Sequence, residues 1–244
     1  MPQDQKDLAG SRNKKLADLL RAGPIVPVIT LERVEDAVPL ARALVAGGLR
    51  LLEITLRTSA AAESAAAIIR EVPDAIVGIG TVLTPKDLER AQALGARYAL
   101  SPGATPDLLD AASRSEMPFI PGIATASELM AALAHGFQTV KFFPAVAAGG
   151  IPALKALAGP FPQARFCPTG GIDEKNARDW LALPNVVAVG GSWVCQTSDI
   201  RAQAWNKIRD QARRAISSLS QDIGREDDGS SSSLMYASGS SPVG

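Results

Sequence analysis

The sequence predicts an α/β fold, a (β/α)8 TIM barrel preceded by an N-terminal helix, and three observations carry that expectation. Short apolar runs bounded by Gly, Pro and Thr alternate eight times with Ala- and Leu-rich stretches of helical spacing, the pattern of parallel strands joined by helical crossovers. At 244 residues with 46% hydrophobic content, the chain is close to the roughly 250 residues over which eight such units close on themselves. No Gly-x-Gly-x-x-Gly turn follows the first strand, which argues against a doubly wound open sheet that binds a dinucleotide.

In chain order, residues 1–10 are polar and are expected to be a flexible N-terminus. Ser11 then caps a helix carrying Leu16, Leu19 and Leu20, which stops near Gly23-Pro24. Strands are predicted over residues 25–30, 49–56, 75–81, 98–102, 118–123, 139–144, 165–171 and 186–193. Between them, Thr84-Pro85 and Thr105-Pro106 each place a capping hydroxyl before a proline at the first helical position, and Thr125 with Glu128 has capping-box spacing. The last helix is expected over residues 199–218, with Ala204, Ile208, Ala212 and Ile216 at helical spacing. The barrel domain is thus residues 11–220. Residues 221–244, rich in charge and then in Ser and Gly, lack apolar periodicity and are expected to be a disordered tail outside the fold.

Composition narrows the function classes. Lysine plus arginine (25) balances aspartate plus glutamate (25), so no charge excess marks nucleic acid or an anionic membrane surface as a partner. Cys167 and Cys195 are too few for a disulfide framework, and neither a signal peptide nor a spanning apolar run of about 20 residues is read, so a cytoplasmic protein is expected. The single histidine, His135, excludes a His-rich metal site; beside Gly136 it reads as a helix C-terminal residue favoured by the dipole, and no metal is expected.

The chemistry collects around Lys141, the one charge inside the apolar run Val140-Lys141-Phe142-Phe143. A charge within a buried strand is either snorkelling to solvent along its stem, or is an amine kept out of water that attacks a carbonyl to form a Schiff base. Strand alternation bears on the choice. Glu53, Thr55 and Arg57 share the inward parity of the second strand, and Thr139, Lys141 and Phe143 that of the sixth, so one acid and two bases converge on an interior normally filled by branched apolar residues. A self-contained Glu53/Arg57 ion pair is the structural alternative. Thr169-Gly170-Gly171 and Gly190-Gly191-Ser192 close the seventh and eighth strands, where barrels often bind phosphate through backbone N–H groups, although any single Gly-Gly is more often a turn. Cys167, of interior parity, reads as a small buried hydrophobe, and Thr169 either caps its turn or offers a hydroxyl to substrate.

The segments Leu52-Glu53-Ile54-Thr55-Leu56-Arg57-Thr58, Gly78-Ile79-Gly80-Thr81-Val82, Ser101-Pro102-Gly103, Pro121-Gly122-Ile123, Val140-Lys141-Phe142-Phe143-Pro144-Ala145, Cys167-Pro168-Thr169-Gly170-Gly171-Ile172 and Gly190-Gly191-Ser192-Trp193 resemble the 2-keto-3-deoxy-6-phosphogluconate (KDPG) and 2-keto-4-hydroxyglutarate (KHG) aldolases, in order from about residue 12 to 216. The resemblance implies a class I aldolase, usually a homotrimer, needing no metal or cofactor and acting on a phosphorylated keto acid. It places Lys141 as the Schiff-base lysine and Glu53 as the general acid/base. Arg57 and Thr81 would hold the keto-acid carboxylate, Pro102 and Phe143 would wall the pocket, and Thr169, Gly170, Gly171, Gly191 and Ser192 would form the phosphate end. The implied reaction gives pyruvate and glyceraldehyde 3-phosphate, with KHG cleavage as a second activity of the same site. A phosphosugar isomerase or epimerase barrel would share the glycine loops without needing an amine at Lys141. A non-catalytic or engineered barrel scaffold would need none of Lys141, Glu53 and Arg57.

Overall fold

The structure, a computed structural model, describes residues 3–220. Its elements are α1 (Gln3–Leu20), β1 (Ile25–Ile29), α2 (Ala37–Ala46), β2 (Leu51–Thr55), α3 (Ala61–Glu71), β3 (Ile76–Gly80), α4 (Pro85–Ala93), β4 (Tyr98–Leu100) and α5 (Pro106–Ser113). They continue with β5 (Phe119–Ile120), β6 (Gly122–Ile123), α6 (Ala126–Ala134), β7 (Thr139–Phe142), α7 (Gly150–Ala158), β8 (Arg165–Pro168), α8 (Ala177–Leu181), β9 (Val189–Gly191), α9 (Thr197–Arg201) and α10 (Trp205–Ser220). Six strands pair in the order β5-β4-β3-β2-β1-β9 and three in the order β6-β7-β8, every pairing parallel. Single bridges, Phe166 with Val186 and Thr169 with Gly190, run from the β8 region to the β9 region.

The helices start for the reasons read from the sequence. Thr84 and Thr105 accept hydrogen bonds from the backbone N–H of Asp87 and Leu108, each ahead of a proline in the first turn, and Thr125 with Glu128 forms a capping box. His135 is the C-terminal cap of α6, with Nδ1 at 2.8 Å from the Ala131 carbonyl and Nε2 at 3.1 Å from Asp110.

Alternation sorts the apolar residues into two sets. Leu52, Ile54, Val77 and Ile79 join the large cluster with the helices, whereas Leu51, Tyr98, Leu100, Ile120 and Cys167 form a second cluster with Val26 and Ala188, closed by Leu16 and Leu20 of α1. The second set is the inner one, and α1 plugs it.

Four expectations are corrected. Residues 3–10 are helical: α1 starts at Gln3, and Ser11 lies inside it rather than capping it. Its buried stripe of Ala9, Arg12, Leu16 and Leu20 includes a charged residue, which hides the periodicity from a search for apolar side chains. The fifth strand is interrupted at Pro121, which lacks the N–H a continuous ladder needs. The eighth ends at Gly191, short of Trp193. The last helix divides into α9 and α10 at residues 202–204, where Gln203 takes a left-handed φ of 51°. The tail expected at residues 221–244 lies outside the described residues.

Candidate active site

Lys141 and Glu53, 88 positions apart in sequence, meet inside the sheet. Lys141 Nζ donates to Glu53 Oε1 at 2.8 Å and to Oε2 at 3.2 Å, and the two residues are 3% and 1% exposed. Lys141 therefore does not snorkel to solvent, and Glu53 does not pair with Arg57. Arg57 is exposed and its Nε donates to Thr81 Oγ1 at 3.2 Å. Thr81 takes a left-handed φ of 61°, uncommon for a β-branched residue and of the kind that gathers at functional sites.

Each side chain is placed by its neighbours. The Lys141 backbone N–H donates to the Pro121 carbonyl and that of Phe143 to Ile123, so β7 continues past the break at Pro121. The Phe143 ring centroid lies 5.6 Å from Lys141 Nζ, within cation–π range. Glu53 has room only because β3 carries no side chain opposite it: a Cβ on Gly80 would fall 2.2 Å from Glu53 Oε1. Thr55, next on the same face, is occupied structurally, its hydroxyl donating to the Ile29 carbonyl and lying 3.0 Å from Thr30 Oγ1.

Above this pair opens a cavity of about 140 Å³ lined by Val28, Arg57, Lys141, Phe143, Thr169, Gly170, Gly171, Ile172, Gly191 and Ser192. Most of the sequence-predicted site residues thus come together. Thr81 reaches it through Arg57. Pro102 stands one strand away, its carbonyl against Gly122, whose register partner is Lys141. Gly170 and Gly171 have φ of 101° and 78°, and a Cβ on Gly171 would meet Val146 at 2.7 Å. Ala145 and Val146 donate to the carbonyls of Thr169 and Gly170, which stitches the loops after β7 and β8 into one cup. Thr169 is buried, with its hydroxyl 3.4 Å from the Cys167 carbonyl and against Gly190. Burial pushes the Cys167 thiol up to about 12, which leaves it an inert small hydrophobe.

Val28 and Ile172 were missed by sequence reading. For Val28 a signal existed: it shares strand parity with Val26, which lies in the inner cluster. Among the described residues, no group of three or more His, Cys, Asp or Glu is gathered to hold a metal, and no helix is long and apolar enough to cross a membrane.

Residues 16–211 match the aldolase family described as KDPG and KHG aldolase. The chain belongs to that family. It is 53% identical over 198 residues to the 2-dehydro-3-deoxy-phosphogluconate aldolase of Dickeya dadantii, and 52% identical over 198 residues to the KHG/KDPG aldolase of Escherichia coli K12; each alignment covers 81% of this chain and 93% of the relative. Among solved structures, the KDPG aldolase of Legionella pneumophila, with pyruvate captured at low pH as a covalent carbinolamine intermediate, superposes with a TM-score of 0.80 at 48% identity, covering 82% of this chain and 97% of that one. This aldolase is therefore a lyase of the Schiff-base class, and the cup above Lys141 and Glu53 is where its chemistry is to be sought.

Proposed function

We propose that the chain cleaves KDPG to pyruvate and glyceraldehyde 3-phosphate through a Schiff base on Lys141. The observation that carries this reading is the buried Lys141–Glu53 contact, whose lysine lines the cavity. Passing a proton from the ammonium to the carboxylate removes two buried charges at once and leaves a neutral amine facing the substrate. The amine adds to the C2 ketone. Glu53 returns a proton to the carbinolamine oxygen so that water leaves, and the C4 hydroxyl gives its proton to the same carboxylate as the C3–C4 bond breaks. The bonding electrons move into the iminium, the aldehyde departs, and the enamine is protonated and hydrolysed to release pyruvate.

Arg57, oriented by its bond to Thr81, is a fitting partner for the keto-acid carboxylate at the mouth of the cavity. Phe143 walls the pocket, with Pro102 standing behind it against Gly122, and Thr169 offers its hydroxyl to the substrate between the reacting carbons and the phosphate. The left-handed Gly170-Gly171 turn and Gly191-Ser192 suit the phosphate, since backbone can approach it there without a side chain in between. The same lysine and glutamate serve KHG, the second substrate in the name of the E. coli relative, without using the phosphate loops.

Closure of the sheet into a full (β/α)8 barrel belongs to this reading. It is supported by the bridges between the β8 and β9 regions and by the strand direction carried from β5 to β6 across Pro121. A cytoplasmic homotrimer follows from the family resemblance, and light scattering tests the trimer.

Borohydride reduction in the presence of pyruvate, followed by mass analysis of peptides, tests the mechanism. One reduced pyruvoyl group on Lys141 and loss of turnover are expected. Modification at Lys155 instead, or none, rejects it.

A further inference from the structure

We infer that Tyr98 is a positioning residue for Glu53, its hydroxyl taking up the carboxylate when Lys141 becomes bonded to substrate carbon. The inference rests on the proposed duties of Lys141 and Glu53 and adds to them a donor on a third strand.

Register supplies the first observation. Glu53 of β2 pairs with Gly78 of β3, and Gly78 pairs with Tyr98 of β4, so the three stand in one row across the sheet. The middle position carries no side chain, and the tyrosine ring fills its place: a Cβ on Gly78 would fall 2.3 Å from Tyr98 Cζ, the carbon that bears the hydroxyl, and 2.4 and 2.6 Å from the two carbons beside it. The phenol end of the ring therefore lies across β3, on the Glu53 side of its own strand. Gly80, two residues on, gives Glu53 its room in the same way.

The second observation concerns hydrogen bonding. Tyr98 is fully buried among Leu16, Leu20, Val26, Leu51 and Cys167, and its Oη has no hydrogen-bond partner among the described residues. Buried hydroxyls nearly always have one, and an unmade bond costs stability, so a lone phenol in an inner cluster calls for a reason. Phenylalanine would fill the same space without that cost.

The third is the change in demand on Glu53. In the free enzyme the carboxylate accepts two hydrogen bonds from the Lys141 ammonium. An ammonium has three N–H donors, whereas an iminium nitrogen bonded to substrate carbon has one. Glu53 thus loses donors as the adduct forms, while buried and while it handles protons. Tyr98 holds an unused donor in the same row. Burial, together with the Glu53 charge, holds the phenol well above its usual range, so it remains a neutral O–H and takes no proton in the reaction.

Tyr98→Phe removes the hydroxyl and keeps the ring. The expected result is a kcat about tenfold or more lower, the size of one lost hydrogen bond to a charged group, with KM nearly unchanged and no fall in thermal midpoint. A merely structural tyrosine would lower the midpoint and leave kcat alone. A spectroscopic measurement stands beside it. The chain has two tyrosines, so Tyr236→Phe enzyme carrying 3-fluorotyrosine reports on Tyr98 alone. Its fluorine resonance is expected to shift when pyruvate is added, and not to shift in a Lys141→Arg background. A wild-type kcat in Tyr98→Phe, or a fluorine resonance indifferent to pyruvate, overturns the inference; if Tyr98→Phe does not fold, the fluorine result decides. Borohydride trapping separates the levels. Trapping at Lys141 with a wild-type kcat in Tyr98→Phe removes only Tyr98, whereas failure to trap wild-type Lys141 removes the mechanism and this inference together.

Discussion

Arg12 and Lys141 are both cations taken out of water, 1% and 3% exposed, and the protein treats them in opposite ways. Arg12, on α1, points into the ends of α5 and α6: Nη1 lies 3.0 to 3.3 Å from the carbonyls of Ala112, Ser113 and Ser115, Nη2 lies 3.5 Å from that of His135, and the guanidinium sits 4.3 Å over the Phe137 ring. Its partners are neutral dipoles, several in number and all fixed in backbone. Helix C-termini present such carbonyls with no acceptor duty inside the helix, and a planar fork of N–H groups suits them. Burial lowers the guanidinium to about 10, still charged at neutral pH. Lys141 instead has one ionisable partner, Glu53, and lines a cavity. The comparison teaches a criterion. A buried cation shared among many carbonyls holds elements together, whereas one facing a single carboxylate and a cavity can give up its proton and react.

Four substitutions break or sharpen that contrast, taken from the largest effect down. Lys141→Arg keeps a cation but removes the nucleophile, so aldol cleavage should fall below detection while circular dichroism remains that of the parent. Residual turnover would mean that Lys141 and Arg12 differ less than proposed. Glu53→Gln keeps the shape of the partner and removes its proton chemistry. A kcat loss of about 10² or more is expected, the usual contribution of a positioned acid/base, with a much smaller change in KM.

Arg12→Leu should show the inverse pattern: about 2 to 4 kcal/mol of stability lost as several carbonyls lose their donor, and unchanged kcat for the folded enzyme. Chemical denaturation beside steady-state kinetics reads both. A fall in kcat without a fall in stability would erase the distinction. Thr169→Val is the finest test, since this hydroxyl has only a 3.4 Å contact with the Cys167 carbonyl to satisfy and borders the cavity. Loss of about 1 to 3 kcal/mol of preference for the gluconate over the galactonate C4 configuration is expected, measured as the ratio of kcat/KM for the two epimers. An unchanged ratio with both rates intact makes Thr169 a turn residue.

The two cations were not equally legible. Lys141 announced itself, because a single charge within an apolar strand breaks a local pattern, and strand parity put it on the same face as Glu53 without any knowledge of contacts. Arg12 did not. It sits in a polar stretch where an arginine breaks no pattern, and its partners lie 100 to 123 positions away on the backbone, which has the same carbonyl at every residue. From sequence, residues 1–10 read only as polar, and Arg12, which anchors the helix, received no role.

What the sequence by itself determined is the local part: the order of strands and helices, the Thr-Pro and Thr-x-x-Glu starts of α4, α5 and α6, the inward parity of Glu53, Lys141 and Thr169, and membership of an aldolase family through short motifs. These depend on neighbours within a few residues, where stereochemistry and capping act directly. The tertiary structure decided the burial of Arg12, the break at Pro121, the parting of α9 from α10 at Gln203, and the choice of Lys141 rather than Arg57 as the partner of Glu53. It also decided that Tyr98 crosses a glycine toward Glu53. The burial of Arg12, the Lys141–Glu53 contact and the placing of Tyr98 are meetings of remote segments. Strand register fixes such meetings, and register is set only when the whole sheet curls and its side chains compete for the same interior space.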